Sequence, residues 1–63
     1  MCPKIYRSRK EAERVAADMY AWITRIIRWT DYHGKQGWVI ECHTPSASAE
    51  SAPMYLCADG YVR

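Results

Sequence analysis

"ITRIIRWT", residues 23–30, is the stretch on which the fold turns. Taken with Trp22, its Ile23, Ile26 and Ile27 continue the apolar spacing of the residues before it and would carry a helix on to Thr30. Taken alone, its β-branched and aromatic side chains fit a pleated surface better than a helix. We adopt the strand reading, with a turn near Tyr20 to Trp22. No glycine marks that turn, so the helical extension stays as its competitor.

Upstream, "RSRKEAERVAADMY" (residues 7–20) holds a readable helix start. Ser8 has the character of an N-cap, and Glu11 three residues later completes a capping box. Ala12, Val15, Ala16 and Met19 recur at helical spacing and form one apolar stripe, with Arg9, Lys10, Glu13, Arg14 and Asp18 largely outside it. Before the helix, "KIYRS" (residues 4–8) follows Pro3 and reads as a first strand at a sheet edge.

Downstream, "DYHGKQG" (31–37) is a polar loop with two glycines, and "WVIEC" (38–42) is the clearest strand in the chain; the two imply a hairpin. Across it, Trp29 and Trp38 are expected to pair. The stretch 44–53 is small, polar and proline-bearing and reads as a mobile loop. "MYLC", "ADG" and "YVR" then read as a last hairpin closed by a two-residue turn at Asp59 and Gly60. The order strand, helix, strand, strand, strand, strand predicts one α+β domain over residues 1–63, an amphipathic helix packed on a small antiparallel β-sheet. One helix covers one sheet face, so the other is left to water or to a partner, and some of the eight tryptophans and tyrosines should be exposed.

Composition narrows the classes. A chain that is 49% hydrophobic and 13% aromatic has too much apolar surface to stay disordered. No run of about eighteen apolar residues and no leader pattern is present, which points to the cytoplasm. Three cysteines, Cys2, Cys42 and Cys57, are an odd set and read as reduced thiols. Cys42 and His43 are adjacent, so a strand sends them to opposite faces, which suits neither a zinc site nor a nucleophile and base. No nucleophile elbow, phosphate loop, HExxH or dinucleotide fingerprint occurs. The sequence therefore predicts no catalytic residue, no metal and no cofactor.

The net charge of +2 is mild, but Lys4, Arg7, Arg9, Lys10 and Arg14 crowd the first fourteen residues. Basic side chains beside the free N–H groups of a helix start suit an anionic group, with Glu11 and Glu13 offsetting their cost locally. Arginine next to large rings, as in "RIIRW", is the composition of protein-interface hot spots. The expected partner-binding residues are Arg7, Arg9, Lys10, Arg14, Arg28, Trp29 and Tyr32.

"SRKEAERVAA", "WVIEC" and "YLCADGYVR" together resemble short phage- or prophage-encoded accessory proteins that set one helix against a small antiparallel sheet, a group that includes some anti-CRISPR proteins. The resemblance is one of architecture and carries over no site residue. It implies a stoichiometric binder that blocks a host protein or nucleoprotein complex. Many such inhibitors imitate DNA with dense acidic surfaces, and this basic chain departs from that pattern. The expected function is thus a non-enzymatic protein-binding module, with a small nucleic-acid-binding protein as the alternative and a homodimer as a further assembly.

Overall fold

Ser8 sits in extended backbone (φ −128°, ψ 147°), and its Oγ accepts the Glu11 N–H at 3.2 Å, which starts helix α1 at Arg9–Ala17. This is the serine half of the expected capping box; the reciprocal bond from the Ser8 N–H to the Glu11 carboxylate is not formed among the described residues. The computed structural model describes residues 3–44 and 53–63. After α1 come strands β1 (Ile23–Thr30), β2 (Gln36–His43) and β3 (Met54–Tyr55), joined as one antiparallel sheet in the order β1-β2-β3. The molecule is a small α+β fold, as the pattern predicts. Cys2 and most of the polar loop expected over 44–53 lie outside the described residues.

The helix ends without a glycine. The N–H groups of Asp18 and Met19 reach back to the carbonyls of Val15 and Ala16, and Trp22 donates to Met19, so three-residue turns unwind the chain into β1. The β-branched run 23–30 is therefore a strand, and the helical extension does not form.

Both hairpins use one device. Gly34 N–H donates to the Asp31 carbonyl and Asp31 N–H to the Lys35 carbonyl, both at 2.9 Å, while Gly34 takes a φ of +83°. Asp31 Oδ1 braces the turn by accepting the N–H groups of His33 and Lys35. In the C-terminal hairpin Gly60 N–H donates to the Cys57 carbonyl, Cys57 N–H to that of Tyr61, and Gly60 has a φ of +87°. Its loop is thus Ala58–Asp59–Gly60, one residue longer than the expected two-residue turn. A two-residue turn of the Asp-Gly type needs positive φ at both centres, and Asp59 does not supply it.

Two expected strands shrink to bridges. The edge of β2 away from β1 is divided: Glu41 and Cys42 pair with β3, whereas Trp38 exchanges both backbone bonds with Tyr6 at 2.8 and 2.9 Å. The segment from Lys4 to Ser8 is therefore no strand; it is held by the Tyr6 bridge, a bridge from Pro3 to Cys57, and Lys4 N–H on the Leu56 carbonyl. Likewise Tyr61–Arg63 is tied back by a Leu56–Val62 bridge and reciprocal bonds between Tyr55 and Arg63.

Alternation along β2 sends Trp38, Ile40 and Cys42 towards the helix and Gly37, Val39 and Glu41 away from it. On the helix side Ile40 and Cys42 are buried with Tyr6, Ala12 and Leu56, and the predicted stripe of Val15, Ala16 and Met19 packs on them. Ala12 is wholly buried, so the first helical turns approach the sheet closely. On the far side Gly37 leaves room for Ile5, whose side chain occupies the space a Cβ would need.

Gly37→Ala should therefore cost about 1–3 kcal/mol of stability. Its methyl would meet both the Ile5 side chain and the Tyr6 carbonyl oxygen, 2.9 Å away and fixed by its own bond to Trp38. Denaturant unfolding should show the loss, and adding Ile5→Ala should restore only the side-chain part of it. If Gly37→Ala unfolds at the wild-type midpoint, the proposed close approach is wrong.

The second hairpin carries a pH dependence. The Tyr61 N–H and then the Arg63 guanidinium, 2.7 Å from Oδ2, hold the Asp59 carboxyl below its ordinary value. Because the folded value is depressed, its contribution is complete above the ordinary carboxylate range and fades as pH falls through the depressed one. Amide exchange at Tyr61 should accelerate over that window relative to Asp59→Asn, which has no such titration.

Candidate functional site

Trp38 is the hub of a basic end of the molecule. Arg28 stands opposite it in the β1–β2 register, with Cζ 5.2 Å from the indole centroid. Arg9, the first residue of α1, brings its Cζ to 5.8 Å from the same ring. One indole thus gathers a guanidinium from the helix and another from the sheet, contacts worth about 0.5–1 kcal/mol each at exposed positions. Separate partners fix the two cations: Arg28 Nη2 donates to Gln36 Oε1 at 2.6 Å, and Arg9 Nε to Glu13 Oε1 at 3.0 Å.

Beside this cluster, Arg7 and Lys35 line a concavity of about 230 Å³ with Ile5, Tyr6, Asp31 and Gln36. The helix start and the tip of the first hairpin therefore meet. At that tip Tyr32 is 93% exposed and lies on His33, with the ring centroids 4.0 Å apart and the planes tilted by 34°. Among the described residues, Arg9 with Glu13 and Arg63 with Asp59 are the only ion pairs made by arginine or lysine. Arg7, Arg28 and Lys35 have no carboxylate partner among the described residues.

Of the expected binding residues, Arg7, Arg9, Arg28 and Tyr32 come together at this end. Lys10 and Arg14 are exposed, one turn apart on α1. Trp29 belongs to the other sheet face. It stands opposite Gly37, not Trp38, and meets Tyr55 edge-on at 5.5 Å and 62°. The expected Trp29–Trp38 pair is thus overturned by register, since the three-residue loop aligns Thr30 with Gln36 and sends the two indoles to opposite sides.

The sequence reading missed Trp38, Lys35 and Gln36 as members of the site. The signal was present in "DYHGK": a turn with its glycine in fourth place sets a three-residue loop, and counting back from it puts Arg28 across from Trp38.

The face away from the helix is apolar over much of its area. Ile23, Ile27 and Trp29 of β1 share it with Val39 and Tyr55, and Ile5 lies over Gly37 beside them. Val39 is completely buried, yet Ile23 is 56% exposed and Trp29 and Tyr55 are half-buried. Its polar members are Arg25, Glu41 and His43, the last with Nε2 2.8 Å from Glu41 Oε1. A separate cleft of about 470 Å³ lies between the end of α1 and the C-terminal hairpin, lined by Val15, Met19, Trp22, Leu56, Cys57 and Val62 with Lys4 and Asp18.

Cys42 and Cys57 are free and buried. Burial pushes the Cys42 thiol up; a hydrogen bond with the Leu56 backbone partly offsets this, and the Glu41 charge adds a lesser upward push. Activation of a nucleophile requires the reverse shift. His43 lies on the opposite face, bonded to Glu41. Burial, and then the Glu11 charge, likewise raises the Tyr6 hydroxyl.

No family model, curated protein or solved structure matches this chain. Among the described residues no helix is long and apolar enough to cross a membrane.

Cys42 should resist iodoacetamide in the folded protein and react at an ordinary thiol rate once denatured, as read by intact mass and peptide mapping. Fast native alkylation at Cys42 would contradict the burial described above.

Proposed function

We propose that this chain is a non-enzymatic protein-binding module that docks through the sheet face its helix leaves uncovered, with the basic end steering an acidic partner towards it. The observation that carries the reading is the edge-to-face pair of Trp29 and Tyr55, half-buried on a face that also carries Ile27 and the exposed Ile23. Rigid rings set among aliphatic neighbours are what protein interfaces use as anchors, and a flat apolar face offers more to a protein than to a phosphate backbone. Arg25 on this face, together with Arg7 and Lys35 near its hairpin end and Arg28 on the opposite side of β1, suits a partner rich in carboxylates. The resemblance to phage accessory proteins extends the proposal to an inhibitor that occupies a host defence protein or nucleoprotein complex.

The second reading, nucleic acid at the basic end, is favoured by the convergence of Arg7, Arg9, Arg28 and Lys35 beside an exposed Tyr32–His33 stack. Rings of that kind accept bases, and such cations accept phosphates.

The immobilised chain should retain a defined protein from nuclease-treated bacterial lysate with weak salt dependence. Ile23→Asp and Trp29→Ala should each reduce retention about tenfold or more. Tyr20→Asp, at an exposed site in the turn after the helix, should leave it unchanged. Retention that vanishes with nuclease, falls steeply with salt and responds to Arg7→Glu but not to Ile23→Asp would sink the protein reading and support nucleic acid.

A further inference from the structure

The uncommitted edge of β1 is the longest run of available backbone hydrogen-bonding groups among the described residues, and its geometry can be worked out residue by residue. Trp38 exchanges backbone bonds with Tyr6, and the Ile40 carbonyl accepts from Leu56 N–H, so the even-numbered residues of β2 turn away from β1. Gly37, Val39 and Glu41 therefore turn towards it, and their partners Trp29, Ile27 and Arg25 turn back. The Asp31–Lys35 bond at the hairpin end fits the same parity. What remains is Thr24, Ile26, Arg28 and Thr30, whose N–H and C=O groups point outward from an eight-residue edge strand.

This edge lacks most of the devices that keep sheet edges apart: it has no proline, no bulge in its register with β2, and six of its eight residues are β-branched or aromatic. Its two charges are placed so as not to prevent pairing with itself. We infer that two copies of this chain associate through β1, antiparallel, about a two-fold axis at Ile27 and normal to the sheet.

In that register Thr24 of one copy pairs with Thr30 of the other, and Ile26 with Arg28. All four outward-facing residues find partners among themselves. Ile27 meets Ile27 across a close, non-hydrogen-bonded pair, and Arg25 lies opposite Trp29, so no arginine directly faces an arginine. Shifting the axis to Ile26 would leave Thr30 paired beyond the strand's start, at Trp22. Arg28 is drawn away from the seam by its contacts with Trp38 and Gln36 on the neighbouring strand. A self-complementary patch of this kind is what a closed two-fold dimer requires. A chain of 63 residues also gains the support that domains of this size commonly draw from assembly. Because the axis is normal to the sheet, both helices fall on one side and the uncovered faces join into one. The inference does not depend on what that face binds.

Sedimentation velocity on the purified full chain should show a dimer, and chemical synthesis with an N-methyl group on Arg28 should weaken it by about tenfold or more. That change removes an outward donor but no bond to β2, so circular dichroism should stay native. For register, Ile27→Cys in a Cys2→Ser background should oxidise rapidly to a disulfide-linked dimer, since such pairs have Cα atoms about 4.5 Å apart, and Ile23→Cys should not. A monomer up to millimolar concentration would overturn the inference, as would a dimer indifferent to N-methylation that cross-links as readily through residue 23 as through 27.

Discussion

The register of β1 on β2 is the constraint from which the other features follow. Side chains alternate along a strand, so a slip of one residue would exchange the contents of the two sheet faces. Trp29 would then lie beneath the helix and Arg28 on the open side. What fixes the register is local: Gly34 takes the left-handed backbone that closes a three-residue loop, and Asp31 ties the loop's N–H groups to its own carboxylate. The hydrophobic pattern agrees, because this alignment puts Ile26 across from Ile40 on the helix side and Ile27 across from Val39 on the other. Turn chemistry and burial thus select one pairing independently.

From that pairing β2 emerges as the strand around which the small core is assembled. It is buried on both faces, with Ile40 and Cys42 towards the helix and Val39 away from it. Its outer edge serves two clients, the N-terminal segment at Trp38 and β3 at Glu41 and Cys42. Dividing one edge in this way brings both ends of the chain onto the sheet without giving either a full strand. Chains of this length typically have a net stability of about 3–9 kcal/mol, so each of these few backbone ties is a sizeable share of such a total. Ala12 matters in the same way, because a larger side chain there would hold the helix off the sheet.

Much of this was legible in the residues. The Ser8 cap, the stripe from Ala12 to Met19, and the strand character of 23–30 rest on local preferences that the tertiary structure reinforces. The sequence was less informative where two segments compete for one edge: "KIYRS" has strand composition, but composition cannot tell that β3 occupies the neighbouring stretch of β2. The Asp59–Gly60 turn failed for a narrower reason, since Asp-Gly fits both a two-residue turn and the end of a three-residue one, and only the backbone angle at Asp59 separates them. For the candidate site, Arg7, Arg9, Arg28 and Tyr32 were found by their chemistry. Trp38 was not, because its role depends on what stands across from it rather than on its own neighbours.

Positive charge at a helix start, the oddest feature of the sequence, has a physical resolution in this geometry. Arg9 does not confront the free N–H groups of the first turn: its guanidinium lies over Trp38 and is paired with Glu13, while Ser8 takes the Glu11 N–H. A side chain at odds with the helix dipole is placed for the sheet. The same logic separates Arg28 from Trp29, neighbours in sequence that alternation sends to opposite faces, so one strand supplies a cation to the basic end and a ring to the apolar face. Charge acts over about 8 Å at physiological salt, whereas apolar contact acts only at closure. In the proposed binding mode an acidic partner would thus be oriented by one surface and held by the other.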